Sequence, residues 1–73
     1  MEKELKELIR KNDNDLQHHE RERDTLRGRM KFYSEHNLAE EQRIAHIKLH
    51  AIDGIIYDYR DLLKDLQKLL PPK

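Results

Sequence analysis

Cysteine and tryptophan are absent from the 73 residues, and glycine and proline occur only twice each. Without cysteine there is no disulfide framework, no thiolate metal site and no thiol nucleophile. No apolar run approaches the roughly 18 residues that a membrane span requires. The N-terminal stretch MEKELKELIRK alternates charges and lacks the apolar segment of a secretory signal. Neither sign of charge dominates, since fifteen basic residues face fifteen acidic ones. The only serine is Ser34, and no Gly-rich phosphate loop or nucleophile–base pair stands elsewhere. These absences predict a single-domain, cytoplasmic, non-enzymatic chain with no cofactor. Neither a membrane nor a small-molecule substrate is expected as its partner. A large core is also missing. Below about 70–80 residues one core rarely yields more than ~3–5 kcal/mol, so a chain of this size needs a staple or a partner.

What is present is helix-forming. Leu, Glu, Lys, Arg, Asp and Gln dominate, all good or tolerable helix residues. Asn37, with Glu40 three residues later, reads as an N-cap and capping box, and Glu41 adds negative charge to the first turn. A second helix is therefore expected over 38–70, ended by Pro71 and Pro72. A first helix is expected over 2–34, with a connection at 35–37. So short a connection forces antiparallel neighbours. The fold class is all-α: a two-helix hairpin of coiled-coil type, dimerising into a four-helix bundle. Breaks at Asn12-Asp13-Asn14-Asp15 or at Asp53-Gly54 are the alternative, but the spacing keeps its phase across both.

That spacing is regular. In the first helix Leu5, Ile9, Asn12, Leu16, His19, Arg23, Leu26, Met30 and Tyr33 alternate steps of four and three. In the second, Leu38, Glu41, Ala45, Lys48, Ile52, Ile55, Tyr59, Leu62, Leu66 and Leu69 do the same. Sustained 3/4 spacing is a coiled-coil seam. Pairing Tyr33 with Leu38 sets the register: Asn12 by Tyr59, Leu16 by Ile55, His19 by Ile52, and a repulsive Arg23–Lys48 layer.

The hydrophobic residues are unevenly divided, nine in 1–36 against seventeen in 37–73. Leu49, Ile56, Leu63 and Leu70 recur every seven residues on one flank of the second seam, and Ile44 and Ala51 extend the other. An apolar face wider than a two-stranded seam belongs to a helix in a larger bundle. A protein interface is thus expected at Leu49, Ile52, Ile56, Tyr59, Leu63, Leu70 and Ile44. Its partner is a second copy or a helix of a target protein. Phe32, the only phenylalanine, falls off the seam near Met30 and Tyr33, either as a rim anchor of that interface or as a cap on the hairpin core. The functional expectation is a small protein-interaction module, a regulator or inhibitor of the kind common among short bacterial and phage chains.

Two other chemistries compete. His46 and His50 stand one helical turn apart, the spacing at which two imidazoles share an ion, but no third or fourth ligand converges, so no metal is expected. The outer face of the second helix carries Arg43, His46, His50, Tyr57, Arg60 and Lys64. Such a row can follow phosphates, with Tyr57 stacking on an unpaired base. The expected dimer resembles, in architecture and without a shared motif, the small plasmid-encoded RNA-binding hairpins. Nucleic-acid binding is therefore the alternative function, with zero net charge against it.

Overall fold

In the computed structural model these residues form two long α-helices, α1 at Glu2–Glu35 and α2 at Ala39–Lys68. The structure describes residues 1–71. Pro71 follows the end of α2, while Pro72, the other half of the expected stop signal, lies outside the described residues. Both helices run unbroken through the Asn12–Asp15 and Asp53–Gly54 stretches. Acidic side chains occupy both first turns, Glu2 and Glu4 in α1 and Glu40 and Glu41 in α2, where the helix dipole favours them.

The connection differs from its expected form. Asn37 adopts a left-handed conformation with φ 57°, and it is the only non-glycine residue to do so among those described. Its N–H donates to the Ser34 carbonyl (3.3 Å), and the Leu38 N–H donates to the Tyr33 carbonyl (2.8 Å). Those two bonds form a Schellman motif, in which the left-handed residue just past the helix satisfies its last carbonyls. Asn37 therefore terminates α1 and does not cap α2. The N-cap of α2 is Leu38, and no side chain caps it. Asparagine suits either role, because its short amide tolerates left-handed geometry as readily as it accepts cap bonds.

The two helices pack side by side, antiparallel. Every residue of the seam read in α1, from Leu5 to Tyr33, is buried or half-buried. On α2 the seam is rotated from its expected position. The covered residues are Gln42, Ala45, Leu49, Ile52, Ile56, Tyr59, Leu63, Leu66 and Leu70. Four of the ten expected seam residues are retained (Ala45, Ile52, Tyr59, Leu66). Five others give way to their C-terminal neighbours, so that, for instance, Leu49 displaces Lys48, Ile56 displaces Ile55, and Leu63 displaces Leu62. Ile56 is 2% exposed and Ile55 39%; Leu63 is 7% exposed and Leu62 44%. The cause is visible in the discarded alternative, which would have held Lys48 against Arg23 in the seam. Burying unpaired charge costs far more than burying Leu49.

The register moves with the rotation. Leu16, Ile56 and Leu63 form the central cluster, with Ile9, Ile52 and Tyr59 packed on it. The Tyr59 ring lies 5.4 Å from the His19 ring, about two turns along α1 from its expected partner Asn12. The Asn12 amide instead donates to the Leu8 carbonyl of its own helix (2.8 Å). Arg60 reaches across to Glu20 (2.9 Å), joining the helices on one side of the seam.

The result is a rod of 54 × 17 × 14 Å. Its radius of gyration is 16.6 Å, where a compact domain of this length has about 11 Å. Among the described residues the buried apolar side chains are few, namely Leu16, Leu26, Ala45, Ile56 and Leu63.

Candidate protein-interaction surface

Rotation of α2 decides which apolar residues remain outside. The stripe expected to meet a partner has been used within the hairpin. Ile56 and Leu63 are buried, and Leu49 and Leu70 are half-buried beside them, as are Ile52 and Tyr59. A second chain cannot reach Ile56 or Leu63 unless the hairpin opens. The assignment of the free surface to Leu49, Ile56, Leu63 and Leu70 is thus corrected. The exposed apolar line is the one next to it.

That line consists of Ile55, Leu62 and Leu69, every seventh residue, with Ile44 and Ala51 alongside. Leu69 is 68% exposed. On a helical wheel these five positions share one flank of α2, adjacent to the seam. The same side of α1 carries Leu8, also exposed. Near the free ends of the hairpin, Met1, Leu5, Leu8, Leu69 and Pro71 line a shallow apolar hollow. Toward the turn the flank becomes polar. Arg29 and Lys48 border an open groove floored by Leu26 and Ile52.

Of the residues expected at an interface, Ile44 and Phe32 remain outside. Phe32 lies against His36, with ring centroids 4.2 Å apart and the planes inclined at 44°, and meets Tyr33 edge-on at 6.2 Å. It thus packs over the last turn of its own helix. Ile55, Leu62, Leu69 and Leu8 are the residues that spacing alone misassigned or passed over. The available signal was the set of doublets Ile55-Ile56, Leu62-Leu63 and Leu69-Leu70. Only one member of each can face α1, so the other is left over.

The rival nucleic-acid row lies on the outer side. Arg43, His46, His50, Tyr57, Arg60 and Lys64 are all exposed. Two of its cations are already engaged, Arg60 with Glu20 and Arg43 with Glu40 (3.4 Å). The imidazole nitrogens of His18 and His19 lie 3.0 and 3.1 Å from the same oxygen of Glu22, and His46 and His50 are exposed. Among the described residues no group of three or more His, Cys, Asp or Glu side chains is placed to hold a metal ion. None of the described helices is long and apolar enough to cross a membrane. At the N-terminus the Met1 ammonium, 2.6 Å from Glu4, holds that carboxyl below the usual carboxylate range, helped by a backbone hydrogen bond.

Compared with known proteins, the chain matches no protein family, no curated protein and no solved structure.

Proposed function

We propose that this chain is a non-enzymatic protein-interaction module whose working surface is the apolar flank of α2, formed by Ile44, Ala51, Ile55, Leu62 and Leu69. The observation that carries this reading is the exposure of Ile55, Leu62 and Leu69 beside a seam that is already complete. Two apolar positions per heptad suffice for a two-stranded seam, and a third adjacent one is the pattern of a helix with another helical neighbour. The size of the surface supports the same reading. The hairpin exposes 6032 Å², about a quarter more than the ~4,800 Å² typical of a folded monomer of its mass. Packing a further helix or helix pair along the flank yields a bundle of three or four helices and covers the excess. A small regulator or inhibitor that docks on a larger helical protein works through such a surface.

The test is a pair of variants compared with the natural chain. Ile55→Glu combined with Leu62→Glu lies outside the seam and leaves helicity intact while abolishing association. Ile56→Glu instead unfolds the hairpin. If the Ile55/Leu62 variant retrieves the same partner, itself included, as the natural chain does, the flank is not the working surface.

A further inference from the structure

Charge placement on the exposed flank specifies its occupant. Only one lysine interrupts the apolar line, Lys48, one heptad before Ile55. Only two carboxylates border the line farther along, Asp58 and Asp65, which stand three and ten residues after Ile55. Lys48 and Asp58 make no ion pair among the described residues, and Asp65 only a long one of 3.9 Å to Lys68. Two α2 helices laid antiparallel, with Ile55 on the twofold axis, bring residue 55 − n of one chain opposite residue 55 + n of the other. Lys48 then faces Leu62 of the second copy and sits between that copy's Asp58 and Asp65. The same pairing brings Ile44 toward the Leu69 end, where the Leu5–Leu8–Leu69 hollow stands open. No like charges on the flank meet in this register.

From this complementarity we infer that the flank binds a second copy of this chain, α2 against α2 with Ile55 at the dyad, giving a four-helix bundle held in register by two symmetric Lys48–Asp58/Asp65 clusters. The inference rests on the flank being an interaction surface and names what covers it. A twofold contact is self-complementary by construction, and one cation and one acidic pair on the same stripe meet that requirement with a single face. The cation and the acids select register and orientation, and the apolar residues supply the burial.

The absence of cysteine supplies a direct test, because one introduced thiol is the only thiol in the molecule. Full-length Ile55→Cys, left to oxidise in air, is expected to form a disulfide dimer. Facing residues at a helix dyad approach the Cα separation of about 4.4–6.8 Å that a disulfide requires. Ile47→Cys, more exposed but two turns from the dyad and so far from its own copy, serves as the control and is expected to stay largely monomeric. In parallel, Lys48→Glu should weaken self-association roughly tenfold by turning each cluster repulsive, and adding Asp58→Lys and Asp65→Lys should restore it. If the natural chain is a helical monomer at high micromolar concentration, the homodimer is overturned while docking on a foreign helix still stands. If Ile47→Cys oxidises as fast as Ile55→Cys, or the reversed charges fail to restore association, the register is overturned. If Ile55→Glu with Leu62→Glu leaves every association intact, both readings fall.

Discussion

Each isoleucine and leucine doublet of α2 places two chemically equal side chains in unequal surroundings. Ile56 touches the central cluster from inside, and Ile55 borders solvent. Ile56→Ala should therefore cost about 2–5 kcal/mol, by lost burial and the cavity left behind. That loss should be the same in dilute and concentrated samples by urea denaturation. The cost of Ile55→Ala should instead grow with protein concentration, because in the proposed dimer the contact it removes lies between chains. Equal, concentration-independent losses at both sites would place Ile55 in the hairpin core. Asn12 makes a different point. Its amide serves only the carbonyl one turn back, so Asn12→Leu removes no contact between helices and adds apolar area to a half-buried seam position. A rise of about 0.5–1.5 kcal/mol in unfolding free energy is expected. At the N-terminus, the lowered Glu4 carboxyl steadies the first turn above the ordinary carboxylate range, and that contribution fades as pH falls through the lowered value. Fraying of residues 2–5, followed by amide exchange, should increase in acid.

At the scale of the elements, the connection and the glycines carry the predictions. Asn37 occupies left-handed backbone, where alanine is strained by ~1 kcal/mol and glycine is not. Asn37→Ala should lower the melting temperature, and Asn37→Gly should leave it equal or higher. Gly28 and Gly54 lie in ordinary helical backbone, and a Cβ at either meets nothing within 4 Å. Gly28→Ala should stabilise by about 0.5–1 kcal/mol through reduced freedom of the unfolded chain. A loss at Gly28 would show that the glycine faces something outside the hairpin.

The same scale shows what the sequence made legible. The two helices, their approximate ends and the α1 seam were readable because, apart from Leu8 and Phe32, the large apolar residues within α1 fall on one line with a 3/4 period. The retained part of the α2 seam, Ala45, Ile52, Tyr59 and Leu66, was readable for the same reason. The rest was not, since both members of the pairs 55/56, 62/63 and 69/70 fit a 3/4 repeat. The deciding pair was 48/49, where a lysine and a leucine compete for the seam and the lysine cannot be buried cheaply against Arg23. Asn37 was ambiguous at the level of a single residue, because a turn between two helices offers it both a cap and a left-handed position. The exposed apolar line Ile55, Leu62 and Leu69 therefore lies one position before the stripe that spacing left outside the seam.

At the scale of the whole molecule, the hairpin is long, thin and short of core. α1 offers α2 one seam and little more, with polar residues at Asn12, His19 and Arg23. α2 has apolar residues for two neighbours. The proposed assembly accounts for both facts: the hairpin is half of it, and another helix along Ile55, Leu62 and Leu69 makes good the shortage of core. Sedimentation velocity of the natural chain beside the Ile55→Glu/Leu62→Glu variant, from low to high micromolar concentration, tests this most directly. The natural chain should pass from a hairpin monomer to a dimer, while the variant stays monomeric and equally helical. A natural chain that remains a helical monomer throughout would contradict the self-paired bundle, and a variant that still dimerises would contradict the flank as its interface.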